Sequence, residues 1–440
     1  MRDTQAKIIF SAYSTNTFTM AGGLMQLVAY GAQDTYLTAS PKVTFFNAVY
    51  RRHTNFAMEV IEQTVNGTAA NNGRVSVTIA RNGDLISEMY VEMVAASLNT
   101  SSVGGLATAW AAERAIKDVE LSIGGQRIDK CYQKWWRLYS ELYLDSSKKA
   151  TWGKMTSGSG QAIYLPLIFF FNRNPGLALP LIALQYHEVR LDFDLSSEFT
   201  GYTDGSTFKV WGNYIYLDTE ERRRFSQKAH EYLIEQTQHT GTDTVTQNGT
   251  KQVRLSYNHP VKELVWCFND GAVANASAWN FTAQAANNDV VLETDPTAIA
   301  ASNAFVPIEQ VGAPLYAVGT GASTERWIEE GTSGAYGPLS EFKLVLNGQD
   351  RAKAQDGKFY NQVMPYMHHS GSPYPGIYCY SFALRPEEHQ PTGTCNFSRI
   401  DNAQVSVTLK NTAKTTMHLF ATNYNVLRVQ SGMGGLAFSN

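Results

Sequence analysis

The chain has 440 residues and a formal net charge of −3, and only 17% of its residues are charged. It lacks the basic surplus of a nucleic-acid-binding protein, so direct contact with nucleic acid is not expected. A hydrophobic fraction of 43% excludes a disordered chain. The 23 Tyr and 21 Phe favour a β-rich protein that buries surface against partners.

The cysteine pattern points away from metal and cofactor chemistry. Cys131, Cys267, Cys379 and Cys395 form no C-x-x-C pair, so they predict buried free thiols rather than a zinc site, and no cofactor is expected. Cys379 and Cys395 fall in one predicted sheet region and are the pair to test first for a disulfide.

The first half of the chain shows one strand and two helix signals. Residues 75–79 (VSVTI) alternate with a period of two, which predicts a strand with one buried face. Residues 107–117 and 130–144 are the best helix candidates, and the second stretch places its aromatic residues largely on one face. Residues 1–19 carry charges throughout and do not resemble a signal peptide.

Further along, strand signals dominate. The apolar stretch 163–184 is interrupted by NRNPG, so it predicts two buried strands around a turn rather than a membrane span. Residues 191–195, 253–257 and 405–409 again alternate with a period of two. The charge run 218–224 (DTEERRR) predicts a solvated linker or interdomain ion pairs rather than a nucleic-acid site.

Five short segments recur in the same order, which predicts two copies of one structural unit. The matched segments are 61–64 with 234–237, 75–77 with 253–255, 121–126 with 344–349, the strands that begin at Val189 and Val405, and 213–214 with 423–424. The difference in residue number between the matched segments of the two copies increases from the second match to the third. The second copy therefore carries an insertion, which we place at about 270–338, a segment rich in Ala, Asn, Thr, Ser and Gly.

These features predict an N-terminal arm (1–43) and two domains, 44–221 and 222–440. Each domain contains many short strands, for which a two-sheet sandwich or jelly roll is the natural architecture.

Long motifs across the chain resemble one protein family. They begin with MAGGLMQLVAYGAQDTYLT at Met20 and VYRRHTNF at Val49, and continue with IGGQRID, LPLIFFFN and PGLALPLIALQYHEV. LNGQDR, GTCNFSRIDNA and NYNVLRVQSGMGGLAF complete the set. The chain is similar over about residues 20–440 to the major capsid proteins of large DNA viruses of algae, the phycodnaviruses and especially the chloroviruses. Residues 1–19 precede the usual start of that family, so they are either an upstream extension of the reading frame or an extra arm.

The resemblance implies an all-β double jelly roll: two tandem eight-stranded antiparallel sandwiches with a few short helices in loops. It also implies a homotrimer that forms a pseudo-hexagonal capsomer. Neighbouring capsomers and minor capsid proteins would be its partners in an icosahedral virion shell, close to an internal viral membrane and assembled in the host cytoplasm. The arm is expected at the base of the capsomer. Phe45-Phe46 and residues 436–438 are candidate contacts, although each could equally be core.

Few residues suggest a catalytic, metal-binding or modification site. His368-His369 is expected to be an exposed loop pair rather than a metal site, and His187 and His230 to be structural histidines. The glycine-rich residues 432–435 lack the lysine of a phosphate loop and predict a flexible end or a close packing point. Possible glycosylation sites are the sequon residues Asn66, Asn99, Asn248, Asn275, Asn280 and Asn396, with Asn275 and Asn280 favoured because they lie in the insertion and Asn396 expected to be buried or paired.

The sequence therefore predicts a structural capsid subunit and not an enzyme. The competing hypothesis is a carbohydrate-binding, lectin-like jelly roll, because that fold also serves lectins. Release of the assembled protein by free sugar would favour the competing hypothesis.

Overall fold

The structure is a computed structural model that describes residues 22–96, 110–158, 160–269, 281, 316–317, 326–327, 337–371, 373, 376–410 and 414–438. The chain divides into two compact units, residues 1–54 and residues 55–440. The described part of the first unit contains α1 (Gly22–Val28) and α2 (Asp34–Thr38), and its side chains are exposed.

In the second unit, ten strands precede residue 218. They are β1 (Phe56–Gln63), β2 (Val65–Asn66), β3 (Arg74–Thr78), β4 (Leu85–Ala95), β5 (Ile116–Ile123), β6 (Gln126–Tyr132), β7 (Ala162–Pro166), β8 (Leu179–Pro180), β9 (Val189–Leu195) and β10 (Thr203–Leu217). Sheet A has the antiparallel order β1-β10-β4-β7, with β8 beside β4, and sheet B has the order β2-β3-β9-β5-β6. The sheets pack through apolar rings: the centroid of Phe193 on β9 lies 5.5 Å from that of Phe208 on β10.

The later strands form a second pair of sheets. They are β11 (His230–Thr244), β12 (Thr250–Arg254), β13 (Pro260–Asn269), β16 (Leu339–Leu346), β17 (Gln349–Asp356), β18 (Ile377–Ser381), β19 (Cys395–Asn396), β20 (Ala403–Leu409), β21 (Thr416–Gln430) and β22 (Met433–Leu436). Sheet C has the order β11-β21-β13-β18, with β19 beside β13 and β22 beside β21, and sheet D has the order β12-β20-β16-β17. Trp266 of β13 stacks on Phe342 of β16 at 4.2 Å, in the core between them.

Short helices occupy the connections. They are α3 (Ala111–Ala115), α4 (Gln133–Tyr143), α5 (Ser146–Thr156), α6 (Phe170–Arg173), α7 (Phe199–Tyr202), α8 (Thr219–Gln227) and α9 (Met364–His368), with a π-helical turn (Phe359–Val363) before α9 and 3-10 turns at Pro175–Leu177 and Phe397–Arg399. In the insertion, β14 (Tyr316–Ala317) pairs with β15 (Arg326–Trp327). Most of residues 270–338 lies outside the described residues.

The two sheet pairs are built alike. β1, β10, β4 and β7 of sheet A correspond in order to β11, β21, β13 and β18 of sheet C, and β3, β9, β5 and β6 of sheet B correspond to β12, β20, β16 and β17 of sheet D. Each pair thus has eight main strands in the two-sheet order of a jelly roll, plus two short strands. The expected all-β double jelly roll is confirmed.

The same hairpin closes at the same place in both copies. Gly124 (φ 57°) and Gly125 (φ 82°) join β5 to β6, whereas Asn347 (φ 49°) and Gly348 (φ 81°) join β16 to β17. Two consecutive residues with positive φ make the tight turn whose twist matches antiparallel strands, and glycine and asparagine tolerate that conformation. These turns explain why GGQ and NGQ recur in the sequence.

Several predicted elements differ from the structure. The helix expected at 107–117 is limited to α3, because Ile116 already pairs with Leu195 in sheet B, and residues 107–109 lie outside the described residues. The strand expected at 253–257 ends at Arg254. The stretch 163–184 contains strands β7 and β8, but helical turns lie between them.

The charge run forms the helix α8, which has no buried residue. Arg222 of this helix donates to the buried carboxylate of Asp84, with 2.9 Å between Nε and Oδ1. The segment is therefore both solvated and ion-paired.

Candidate functional site between the two sheet pairs

The sequon asparagines do not converge on a site. Asn66, Asn248 and Asn396 are exposed, whereas Asn99, Asn275 and Asn280 lie outside the described residues. Asn396 is paired, as expected, but it is not buried: its side-chain oxygen accepts from the backbone N–H of Ser398 at 3.1 Å. It lies at the surface, in the two-residue strand β19.

The expectation of an exposed loop pair at His368-His369 was wrong. His368 is half-buried at the end of α9. The side chain of His369 is fully buried between Glu263 (Nε2 to Oε2, 3.0 Å) and Glu387 (Nδ1 to Oε1, 3.3 Å). Burial lowers the pKa of His369, but the adjacent Glu263 carboxylate outweighs it and raises the pKa well above its ordinary value. The imidazolium is therefore a structural cation that joins β13 to the loop after β18.

The other chemical candidates are structural contacts. Nδ1 of His187 lies 2.9 Å from the carbonyl oxygen and 3.1 Å from the amide nitrogen of Gly434, and its tautomer sets which of the two hydrogen bonds forms. Nε2 of His230 lies 2.7 Å from the carbonyl oxygen of Phe225. Residues 432–435 form a close packing point, because a Cβ at Gly434 would lie 2.6 Å from Leu184. The four cysteines are free; Cys379 is buried and Cys395 is half-buried.

Among the described residues, no group of three or more His, Cys, Asp and Glu side chains could hold a metal ion. Within the same ranges, no helix is both long and apolar enough to span a membrane.

Between the two sheet pairs lies a cluster of charged side chains that the sequence did not single out. Glu235 of β11 receives Arg173 from α6 at 3.0 Å and Lys262 from β13 at 2.7 Å. Burial raises the pKa of Glu235, but Arg173 and Lys262 outweigh this effect and lower it overall. Burial lowers the pKa of Lys262 to about 8. Since α6 belongs to the first sheet pair, this triad ties the two pairs together through buried charge.

Two sheet edges meet at this interface. β6 is the last strand of sheet B, and β11 is the first strand of sheet C. The Asp129 carboxylate of β6 accepts from the backbone N–H of Thr237 at 3.1 Å, and the Gln236 amide donates to the carbonyl oxygen of Ile128. Side chains thus satisfy backbone groups that an exposed edge would offer to another chain.

Aromatic side chains of the first sheet pair cover the outer face of sheet C. The ring of Trp135 in α4 lies 5.5 Å from Phe420 of β21, and Tyr132 lies 5.2 Å from His239 of β11. Tyr143 lies edge-on to His369 at 5.4 Å. Every residue of β13 except Pro260 is buried, because this strand has the sandwich core on one side and the first sheet pair on the other.

At this interface charged side chains pair with one another and aromatic rings pack together. Its geometry fixes the position of one sandwich relative to the other. No motif could have located the triad, because Arg173, Glu235 and Lys262 lie on three separate elements.

Large apolar side chains remain exposed elsewhere. Phe45 and Phe46 are 94% and 98% exposed in the first unit. In the second unit, Leu436 is half-buried and Phe438 is 61% exposed, so residues 436–438 are only partly core.

Family models match both copies. The model described as "Major capsid protein N-terminus" matches residues 44–218, and the model described as "Large eukaryotic DNA virus major capsid protein" matches residues 221–435. The major capsid protein of Paramecium bursaria Chlorella virus 1 is 44% identical over 96% of this chain and 100% of its own length. That of Phaeocystis pouchetii virus is 39% identical over the same shares.

Solved structures agree with these similarities. VP54 of Paramecium bursaria Chlorella virus 1, in a structure fitted into a reconstruction of the virophage Sputnik, superposes with a TM-score of 0.74 at 40% identity, covering 90% of this chain and 100% of VP54. The Faustovirus major capsid protein, at 14% identity and a TM-score of 0.65 over 91% and 94% of the two chains, shares the fold. Nothing in these similarities supports the carbohydrate-binding alternative. The chain belongs to the major capsid proteins of large eukaryotic DNA viruses, which form the shell of the virion.

Proposed function

We propose that three copies of this chain form a pseudo-hexagonal capsomer, and that such capsomers tile an icosahedral shell. The observation that carries the proposal is the duplication: two sandwiches with the same strand order are held in one rigid arrangement by a buried interface. Three such chains around an axis present six similar blocks, which can pack like a hexagon.

The proposed organisation is an arm of residues 1–43 followed by domains 44–221 and 222–440. The boundary between the domains falls within α8, after the end of β10 in sheet A and before the start of β11. We place neighbouring capsomers and minor capsid proteins at the outer rim, and the arm with its exposed aromatic residues at the base, near an internal membrane. Assembly would take place in the host cytoplasm.

The mass of the purified chain tests the trimer. Light scattering is expected to give a species at about three times 48.7 kDa, because a closed ring of three chains leaves no open interface for a fourth. A strictly monomeric chain over a wide range of concentration would refute the proposed capsomer.

We also infer that the exposed sequon asparagines of the virion protein carry glycans. Asn66 and Asn248 have solvent access, and the side chain of Asn396 would first have to release Ser398. Glycopeptide mass spectrometry is expected to find modified Asn66 and Asn248, with Asn66→Gln losing one glycan mass. Unmodified peptides at all six asparagines would contradict the inference.

A further inference from the structure

The sequence contains five Asn-Gly pairs, which begin at Asn66, Asn72, Asn82, Asn248 and Asn347. Asparagine before glycine is chemically labile, because glycine has no Cβ to hinder the attack of its backbone nitrogen on the preceding side-chain amide. This attack requires the side chain and the following peptide unit to reorient. Hydrogen bonds to either group therefore decide which of the five pairs can react.

In two of the pairs the attacking nitrogen is already engaged. The N–H of Gly73 donates to the carbonyl oxygen of Ala70 at 2.9 Å, and the N–H of Gly249 donates to the carbonyl oxygen of Thr246 at 3.1 Å. Each bond has to break before the nitrogen can reach the side chain, so both pairs are protected.

Two further pairs are held through the asparagine. The side-chain oxygen of Asn347 accepts from the N–H of Asn402 at 3.0 Å, and the N–H of Asn347 donates to the carbonyl oxygen of Asn402 at 2.7 Å. Asn66 belongs to β2, where it pairs with Ser76 of β3. Strand pairing holds its backbone in an extended conformation.

The pair Asn82-Gly83 lies in the connection between β3 and β4 and differs from the other four. Asn82 is exposed, and within the ranges that the structure describes neither its side-chain amide nor the N–H of Gly83 takes part in a hydrogen bond. The flanking residues are fixed: the hydroxyl group of Tyr214 donates to the carbonyl oxygen of Ala80 at 2.7 Å, and the N–H of Asp84 donates to β10 at 3.1 Å. The Asn82–Gly83 peptide unit is therefore a free span between two anchors.

The second anchor, Asp84, joins sheet A to helix α8. Its buried carboxylate accepts from the N–H of Leu217 at 2.9 Å and from Nε of Arg222 at 2.9 Å. Its carbonyl oxygen accepts from the N–H of Ile182 at 3.1 Å. The position of Asp84, two residues after Asn82, therefore determines whether Arg222 stays paired and α8 stays on the sheet.

We propose that Asn82-Gly83 is a site of spontaneous modification that releases α8 from Asp84. The nitrogen of Gly83 attacks the side-chain carbonyl carbon of Asn82, and the new C–N bond closes a cyclic imide. The side-chain nitrogen leaves as ammonia, which carries away the proton lost by the attacking nitrogen. Water then opens the ring at either carbonyl carbon, so the product is aspartate or isoaspartate and no oxidant or reductant is needed.

Both products disturb the anchor at Asp84. Each places a new negative charge two residues before the Asp84 carboxylate. Isoaspartate also routes the main chain through the former side chain and lengthens it by one methylene group. Since Ala80 remains fixed, the extra length displaces Asp84 from Leu217 and Arg222, and α8 loses its ion pair.

Peptide mapping of the purified chain after incubation at mildly alkaline pH tests the modification, because base helps the attacking nitrogen to lose its proton. Asn82 is expected to convert about tenfold faster than Asn347, which must first break its bonds to Asn402. Asn347 is the matched control within the same molecule. Equal rates at the two positions, or an intact Asn82 after conversion at any of the other four pairs, would overturn the proposal.

Trypsin tests the release of α8, because this helix carries Arg222, Arg223 and Arg224. Brief digestion of the folded chain is expected to cleave α8 faster after incubation than before it, in proportion to the converted fraction of Asn82. Asn82→Gln is the matched variant: glutamine would have to close a larger ring, so its cleavage rate should not change during incubation. An equal rise in this variant would refute the release.

Asp84→Asn separates the anchor from the chemistry. It removes the charge that holds Arg222, so cleavage of α8 is expected to be fast before any incubation. A cleavage rate equal to that of the fresh unaltered chain would show that the carboxylate does not hold α8. The release would then be refuted, whatever the conversion at Asn82.

Discussion

Replacing Glu235 by glutamine is expected to lower the free energy of unfolding by about 3–5 kcal/mol, because it leaves the buried Lys262 and the half-buried Arg173 without their carboxylate. Lys262 is fully buried, and its other partner is the carbonyl oxygen of Pro386 at 2.7 Å. Arg173 reaches Glu235 from the first sheet pair, so the loss also weakens the contact between the sandwiches. Urea unfolding at a fixed chain concentration measures the change.

Glu231→Gln is the control, on the same strand. Glu231 pairs with Arg428 at 2.8 Å, but both side chains are more than half exposed, and solvent screening limits such a pair to at most about 1 kcal/mol. Adding Lys262→Met to Glu235→Gln should recover part of the loss, because it removes one unpaired cation. Equal effects of Glu235→Gln and Glu231→Gln would show that the triad does not hold the interface.

At pH 8, Asp129→Asn is expected to have a higher free energy of unfolding than the unaltered chain. At pH 5 this increase is expected to be much smaller. Burial raises the pKa of Asp129 from its ordinary 3.8 to about 7. A carboxyl group with a raised folded pKa stabilises the fold fully below about pH 4, and this stabilisation is lost as the pH rises through about 7. Asparagine does not ionise, and its side-chain oxygen can still accept from Thr237 and Lys130.

The difference between the two unfolding free energies should therefore grow with pH and level off above about 7, reaching on the order of 4 kcal/mol. Chemical unfolding at several pH values measures it. Asp350→Asn is the control, since that side chain is 43% exposed and pairs with Lys343 at the surface. A pH-independent difference for Asp129→Asn would mean that this carboxylate is already ionised in the folded state.

Both experiments act on the contact between the sandwiches. This contact sets the angle between the two blocks of each chain, and therefore the shape that the proposed capsomer can take. A weaker interface should widen the range of angles between the two sandwiches before either sandwich unfolds. The jelly-roll cores, such as Trp266 on Phe342, are separate from this interface.

The sequence by itself determined the fold class and the duplication. The alternating residues of β3 and β20 bury every second side chain, a local property that period-two patterns report directly. The hairpin turns at Gly124-Gly125 and Asn347-Gly348 could also be predicted, because positive φ restricts the residue type. Long motifs were sufficient to indicate the family.

Only the tertiary structure decided the register and the interface. The matched letters of 61–64 and 234–237 do not hold equivalent places in the sheets: Ile61 pairs with Gly212, just before the matched Asn213, whereas Ile234 pairs with Asn425, after the matched Asn423 and Tyr424. The side chain of His369 is fully buried beside half-buried His368, and Glu235 meets cations from two other elements. The physical reason is the same in each case: strand register and burial depend on which distant surfaces meet, and local sequence carries no record of that choice.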